Sequence, residues 1–210
     1  MITLYDFPRA PSPRRARVLL AEKGIAHETV IVDLAAQEQL GEGFRAINPR
    51  CTVPALRLED GTVLTDNAGI AAWAEAAFPE PPLMGTTPTE KAEIASWNVR
   101  IEQEGFYAVA EALRNSAPGM KDRALTGPVD YAQIPALAER GLARLEQFFA
   151  MLDQHLDGRD YVATDRFSLA DISAVIVTDF ARIVKLKPAE QFAHIGAWRA
   201  RMAERPSFSL

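Results

Sequence analysis

The chain has 210 residues, of which 48% are hydrophobic and 24% are charged, a balance typical of a globular protein with one large or two small domains. Its formal net charge of -5 provides no basic surface of the kind that nucleic-acid-binding proteins carry, which argues against a nucleic-acid partner. The apolar runs are short and interrupted by charged residues, which argues against a segment that spans a membrane.

A βαβ unit opens the chain. Apolar and polar residues alternate over 2–7, which predicts a first strand. The pair Ser12-Pro13 is a favourable helix start, with serine as N-cap and proline at the first helical position, and Gly24 ends this helix. Residues 27–32 predict a second strand. In a βαβ unit the two strands are expected to be parallel and the crossover right-handed.

The next elements complete a small α/β region. They are an irregular segment at 33–47, a strand from Pro54, a hairpin turn at Asp60-Gly61, a strand at 62–64 and a helix at 67–78. Phe44 and Ile47 are the expected buried anchors of the irregular segment. The first eighty or so residues therefore read as βαβ followed by ββα.

The bond between Val53 and Pro54 is a candidate ligand-binding feature. Proline has no N–H to give to a sheet, so it suits the first residue of a strand. A cis peptide is also far less costly before proline than before any other residue. A cis bond here would turn the Val53 N–H and C=O towards a peptide-like ligand that pairs as an extra strand. An ordinary trans proline is the alternative.

The second half of the chain predicts helices only. Four are expected, at 88–115, at 134–156, after the capping box at 168–171, and at 188–203. The third is apolar nearly all round and should form the core of this half. Because Pro79, Pro81 and Pro82 end the preceding helix, the boundary between an α/β domain and an all-helical domain is expected at 79–87.

Cysteine and histidine usage points to a cytoplasmic protein without a metal site. Cys51 is alone, so an internal disulfide is not possible, and the first residues lack the basic start and apolar core of a signal peptide. The histidines, at 27, 155 and 194, show no ligand-like spacing.

Four islands of sequence stand out, at 12–25, at 44–56 with its Val53-Pro54 bond, at 64–70 and at 167–172. Together they resemble the cytosolic glutathione S-transferases, and among them the bacterial members with a serine-type active site. The resemblance covers most of the chain. It implies a thioredoxin-like, glutathione-binding domain at 1–80 and an all-helical domain at 88–210 that contributes the hydrophobic substrate site. It also implies a homodimer that uses glutathione as co-substrate, without a metal.

The resemblance assigns glutathione to residues of the first domain. Val53 and Pro54 would hold its cysteinyl backbone, Asp66 and Asn67 its γ-glutamyl end, and Gln39 its glycyl end. Asn67 departs from the hydroxyl residue that the family places there, although its amide can still donate to a carboxylate. The alternative for Asp66 and Asn67 is a plain helix cap.

Ser12 is the candidate catalytic residue. The thiol of glutathione, like that of free cysteine, has a pKa of about 8.5, so an enzyme must stabilise its thiolate. A hydroxyl at the start of the first helix can donate to sulfur while the helix dipole favours the anion. The alternative is that Ser12 is only a helix cap, and Tyr5 is a weaker candidate within the first strand.

The position of the helix at 88–115 in the family suggests an apolar pocket for the electrophile. Its candidate lining residues are Trp97, Ile101, Phe106 and Tyr107, which otherwise belong to the core. Cys51 raises a rival interpretation as a thiol for mixed disulfides, although a partly buried, inert thiol is the simpler one. The alternatives to conjugation are a glutathione-dependent isomerase, reductase or peroxidase, or a non-catalytic relative that binds a protein.

Overall fold

A computed structural model describes the chain from Met1 to Leu210 and divides it into two compact units. The first contains Met1–Pro81 together with Thr126–Val129 and Leu210, and the second contains Pro82–Leu125 and Asp130–Ser209. The first unit mixes strands with helices, whereas the regular elements of the second are all helical. The predicted fold class, an α/β unit followed by an all-α unit, is confirmed.

The first unit is built on a four-stranded mixed sheet. Its strands are β1 at Thr3–Asp6, β2 at Glu28–Ile31, β3 at Ala55–Arg57 and β4 at Val63–Leu64. They lie in the order β2-β1-β3-β4, with β1 and β2 parallel and the other pairs antiparallel. This is the topology expected when a right-handed βαβ unit is followed by a hairpin.

The first unit also contains three helices: α1 at Pro11–Glu22, α2 at Glu42–Ile47 and α3 at Asn67–Ala77. One core cluster joins β1 to the segment around Pro54. It consists of Tyr5, Val32, Phe44, Val53 and Ala55. Phe44 is buried, which confirms it as an anchor, whereas Ile47 is only partly buried and packs against the same cluster. The packing of the Val53 side chain in this cluster thus holds the Val53 backbone in place.

A buried lysine ties α1 to the end of α3. The Lys23 side chain has no exposed surface, and its Nζ donates to the carbonyls of Phe78 and Pro81 at 2.8 Å each. The same Nζ lies 2.6 Å from a carboxylate oxygen of Glu75. Three acceptors around one ammonium satisfy a charge that would otherwise be costly to bury.

The second unit contains six α-helices. They are α4 at Pro88–Arg100, α5 at Tyr107–Arg114, α6 at Pro135–His155, α7 at Leu169–Phe180, α8 at Pro188–Gln191 and α9 at Ala193–Ala203. The expected single helix at 88–115 is interrupted by a π-helical segment, Ile101–Phe106. The expected helix at 188–203 is divided where Phe192 is extended.

Helix α7 is the centre of the second unit, as its apolar sequence predicts. Ten of its twelve residues, 169–178, are buried. Trp198 of α9 and Phe148 and Leu152 of α6 are almost completely buried as well. A helix that is apolar nearly all round is stable only where protein covers every face.

Asp171 organises the start of α7. Its carboxylate accepts hydrogen bonds from the Val162 and Ser168 amides at 2.8 and 3.0 Å, from the Ser168 hydroxyl at 3.1 Å and from the Trp198 indole at 3.3 Å. Burial raises the pKa of this carboxyl to about 6, while the four donors oppose that rise. The predicted capping box is therefore also a link between α7, α9 and the preceding loop.

The helices of the structure do not combine the length and the apolar character that a membrane span requires. Nor does the structure bring together three or more histidine, cysteine, aspartate or glutamate side chains in an arrangement that could hold a metal ion.

Candidate functional site

Helix α1 begins two residues earlier than predicted. Its N-cap is Ala10 and its first helical residue is Pro11, so Ser12 is the second helical residue rather than the cap. Both Pro11 and Pro13 suit the first turn, since the first N–H groups of a helix have no partner inside it. The interpretation of Ser12 as the N-cap is therefore wrong, and its hydroxyl is not used to cap α1.

The two prolines leave one backbone donor in the first three positions of α1. Pro11 and Pro13 have no N–H, and the amide of Arg14 contacts the Ala10 carbonyl at 3.4 Å. The Ser12 amide has no hydrogen-bond partner in the structure. An unpartnered N–H at the positive end of a helix dipole is a favourable place for an anion.

The Ser12 hydroxyl is bound by the start of another helix. Nδ2 of Asn67, the first residue of α3, donates to Ser12 Oγ at 2.9 Å. Both residues are half-buried. The structure therefore brings together two predicted site residues that lie 55 positions apart in the chain.

Asp66 caps α3, as one of the two interpretations of this position predicts. Its Oδ1 accepts from the Gly69 amide at 2.8 Å, and the residue itself is exposed. Oδ2 takes part in no hydrogen bond. The capping role thus uses one carboxylate oxygen and leaves the other open to a ligand.

The peptide bond between Val53 and Pro54 is cis, as predicted. Pro54 directly precedes β3, and Ala55 pairs with Tyr5 of β1. Neither the N–H nor the C=O of Val53 has a hydrogen-bond partner in the structure. These two groups are therefore free to pair with the backbone of a bound peptide.

Asn48 shapes the loop that leads to Val53, a role that sequence reasoning missed. The residue is completely buried, its Nδ2 donates to the Thr52 carbonyl at 2.7 Å, and its Oδ1 accepts from the Arg50 amide at 3.0 Å. An Asn-Pro pair before a short loop is the only sequence signal for it, because such pairs favour turns.

Gln39 lies in a single 3-10 turn, Glu38–Leu40, and is half-buried. Its Oε1 is buried without a hydrogen-bond partner. Leaving a buried polar atom unpaired costs about 1–3 kcal/mol, and a polar ligand would remove that cost. The binding role of Gln39 stays a prediction.

Cys51 does not have the surroundings of a reactive thiol. It is 3% exposed, and its Sγ lies 3.6 Å from the Pro49 carbonyl. Reactive cysteines are partly exposed and lie in electropositive surroundings, whereas buried ones are inert. The inert interpretation is therefore the better one.

The four candidate pocket residues differ in exposure. Ile101, the first residue of the π-helical segment, has no exposed surface and therefore belongs to the core. Phe106 is 9% exposed and Tyr107 is 58% exposed. The Trp97 ring is half-buried and packs against His155 with centroids 4.2 Å apart. A bound molecule can therefore contact Trp97 and Tyr107, whereas the completely buried Ile101 is not accessible to it.

Two family models match the chain: the glutathione S-transferase N-terminal domain over residues 10–77 and the glutathione S-transferase C-terminal domain over residues 118–206. Glutathione S-transferase 2 of Saccharomyces cerevisiae is 35% identical over 207 residues, which cover 97% of this chain and 86% of the relative.

Solved structures show the same two-part architecture. A glutathione S-transferase domain-containing protein from Marinobacter aquaeolei is 35% identical, with a TM-score of 0.88 and 98% of each chain covered. A glutathione S-transferase from Methylobacillus flagellatus, solved with glutathione bound, is 27% identical, with a TM-score of 0.83, and the match covers 100% of this chain and 98% of that one.

The fold and the family matches together define an enzyme class in which a thioredoxin-like unit is followed by a helical one. The chain belongs to the glutathione S-transferase family and is a transferase. Members of this family use glutathione as co-substrate.

Proposed function

We propose that the chain is a cytoplasmic, homodimeric transferase that conjugates glutathione to hydrophobic electrophiles, with the serine-type active site of bacterial members. Residues 1–80 would bind glutathione, and residues 88–210 would contribute the site for the hydrophobic substrate. The observation that carries this proposal is the placement of Ser12. Its hydroxyl and its unpartnered amide both lie in the first turn of α1, beside the start of α3.

The unpartnered groups of the first unit match the parts of glutathione. The cysteinyl N–H and C=O would pair with the C=O and N–H of Val53, with Pro54 fixing the start of β3. Asp66 Oδ2 would accept from the γ-glutamyl ammonium, and the second N–H of Asn67 Nδ2 would donate to the γ-glutamyl carboxylate. Nε2 of Gln39, a donor, would bind the glycyl carboxylate.

Ser12 would stabilise the thiolate in two ways. Its O–H would donate to sulfur, a bond to a charged group worth about 1.5–3 kcal/mol. Its amide and the dipole of α1 would add about 0.3–1 kcal/mol. Together these suffice to lower a thiol pKa by roughly two, since one pKa unit corresponds to about 1.36 kcal/mol.

The reaction then needs only a nucleophile and an electrophile held together. The thiol proton leaves to solvent, the sulfur forms a bond to the electrophilic carbon, and the leaving group departs with its electron pair. Trp97, Phe106 and Tyr107 of the helical unit would offer apolar surface to the electrophile. Reductase chemistry is less well supported, because the only thiol of the chain, Cys51, is buried.

Replacing Ser12 with alanine tests this proposal. Glutathione should still bind in calorimetry, because most of its contacts remain. The pKa of the bound thiol, read from thiolate absorbance, should rise by about 1.5, so that conjugation of a chlorinated dinitrobenzene slows about 30-fold below that pKa. Ser209→Ala, at an exposed serine of the C-terminus, is the control.

Two results would contradict the proposal in different ways. If glutathione at millimolar concentration gives no binding heat with the unmodified chain, glutathione chemistry as a whole is ruled out. If Ser12→Ala binds glutathione but keeps the thiol pKa and the rate of the unmodified chain, Ser12 does not stabilise the thiolate.

A further inference from the structure

The contact between Asn67 and Ser12 has a direction. An amide nitrogen can only donate, so Nδ2 of Asn67, 2.9 Å from Ser12 Oγ, occupies one of the two lone pairs of the hydroxyl. The hydroxyl proton is not used in this bond. No acceptor for that proton is present in the structure, since Ser12 Oγ is not engaged with the backbone of α1.

The orientation of the Ser12 hydroxyl decides its chemistry. A hydroxyl that donated to Asn67 would turn only lone pairs towards an incoming thiolate and would repel it. A hydroxyl that accepts from Asn67 keeps its proton for sulfur. Two consecutive hydrogen bonds, from Asn67 to Ser12 and from Ser12 to sulfur, strengthen each other by about 10–30%. A helix cap would have accepted from an N–H of α1, and here Asn67 supplies that donor from α3 instead.

We propose that Asn67 is a positioning residue that orients the Ser12 hydroxyl so that its proton points to the glutathione thiolate. This goes beyond a contact between Asn67 and glutathione, and it rests on the proposed role of Ser12. Because Asn67 follows the cap Asp66 at the start of α3, the same turn would hold the γ-glutamyl end of glutathione and prepare the donor for its sulfur.

The test is a double-mutant cycle between positions 12 and 67, read as the thiol pKa of bound glutathione. Asn67→Ala should raise this pKa by about 1, and so reduce the thiolate about tenfold below it, when Ser12 is present. In the Ser12→Ala background the same substitution should leave the pKa unchanged. Asn67→Leu, which is neutral and similar in size but cannot donate, should raise the pKa about as much as Asn67→Ala.

The outcomes separate this proposal from the one on which it rests. If Ser12→Ala raises the thiol pKa but neither substitution of Asn67 does, Asn67 is not a positioning residue while the role of Ser12 stands. An equal pKa rise in both backgrounds would also overturn it, because Asn67 would then act on glutathione directly. If Ser12→Ala itself leaves the pKa unchanged, both proposals fail.

A folding control accompanies the cycle. Asp66, the cap of α3, is retained in each variant, so the thermal midpoints by circular dichroism should agree with that of the unmodified chain. Should Asn67→Ala fail to fold, the neutral, size-matched Asn67→Leu gives the same readout of thiol pKa.

Discussion

Replacing Asp171 with alanine should lower the free energy of unfolding by about 4 kcal/mol, the largest effect expected of a single substitution in this chain. The side chain is completely buried and accepts from four donors, two of them backbone amides. Each buried donor left without a partner costs about 1–3 kcal/mol, and partial relaxation of the loop recovers some of that. Urea titration followed by circular dichroism measures the loss.

Asp165→Ala is the matched control for this loss. Asp165 is in the loop before α7, its side chain is 90% exposed, and its only ion pair, with Arg166, is 3.7 Å long. An exposed pair of this kind contributes about 0–1 kcal/mol. A loss for Asp171→Ala no larger than that of the control would show that the buried network does not stabilise α7.

The stability due to Asp171 should also depend on pH. Burial raises the pKa of its carboxyl from 3.8 to about 6, so the folded chain holds this proton more tightly than the unfolded chain does. Its contribution to the free energy of unfolding is therefore greatest below the unfolded pKa and falls as the pH rises towards 6. The difference in that free energy between the unmodified chain and Asp171→Asn should shrink over this range, and a constant difference would contradict the raised pKa.

A second large effect is expected at Gly141, where α6 crosses α5. A Cβ at this position would lie 2.7 Å from the Ala112 nitrogen and 2.8 Å from the Ala108 oxygen, both backbone atoms of α5. Because a backbone cannot turn aside as a side chain can, the two helices would have to separate. Overpacking of this kind costs about 1–3 kcal/mol, so Gly141→Ala should lose about 2 kcal/mol and Gly141→Val about 3 kcal/mol.

Gly119→Ala provides the control for this substitution. Gly119 is in the same unit, its φ is not positive, and nothing lies within 4 Å of the added Cβ. We expect a change within about 0.5 kcal/mol in urea titration. Equal stabilities of Gly119→Ala and Gly141→Ala would mean that α5 and α6 do not need the close approach.

Local patterns were enough to predict much of this fold. The first strand, the Asp60-Gly61 turn and the Ser168–Asp171 capping box each depend on neighbours in sequence, and the structure contains all three. The alternation that predicted the first strand does not match its burial, since all four residues of β1 are buried. The start of α1 was misplaced because the chain offers two prolines, Pro11 and Pro13, that both suit a first turn. Local rules could not choose between them.

The features that could not be predicted depend on contacts between distant residues. No pattern within α3 reveals that Asn67 reaches Ser12, and nothing near Lys23 indicates the carbonyls that surround its ammonium. The π-helical segment is another such case. Gly105 within it allows close contact with Phe148 and Val177, which belong to other helices, so its geometry depends on tertiary packing.

The complete burial of α7 has a consequence for hydrogen exchange. An amide in the middle of this helix meets water only when the packing around the whole helix is lost, so its exchange reports global unfolding. The edge strand β2, whose four residues are all exposed, pairs with β1 alone and can open without uncovering buried side chains of its own. Amide protection from hydrogen exchange should therefore be lowest in elements such as β2 and highest in α7. We expect α7 to be the last element to take up deuterium.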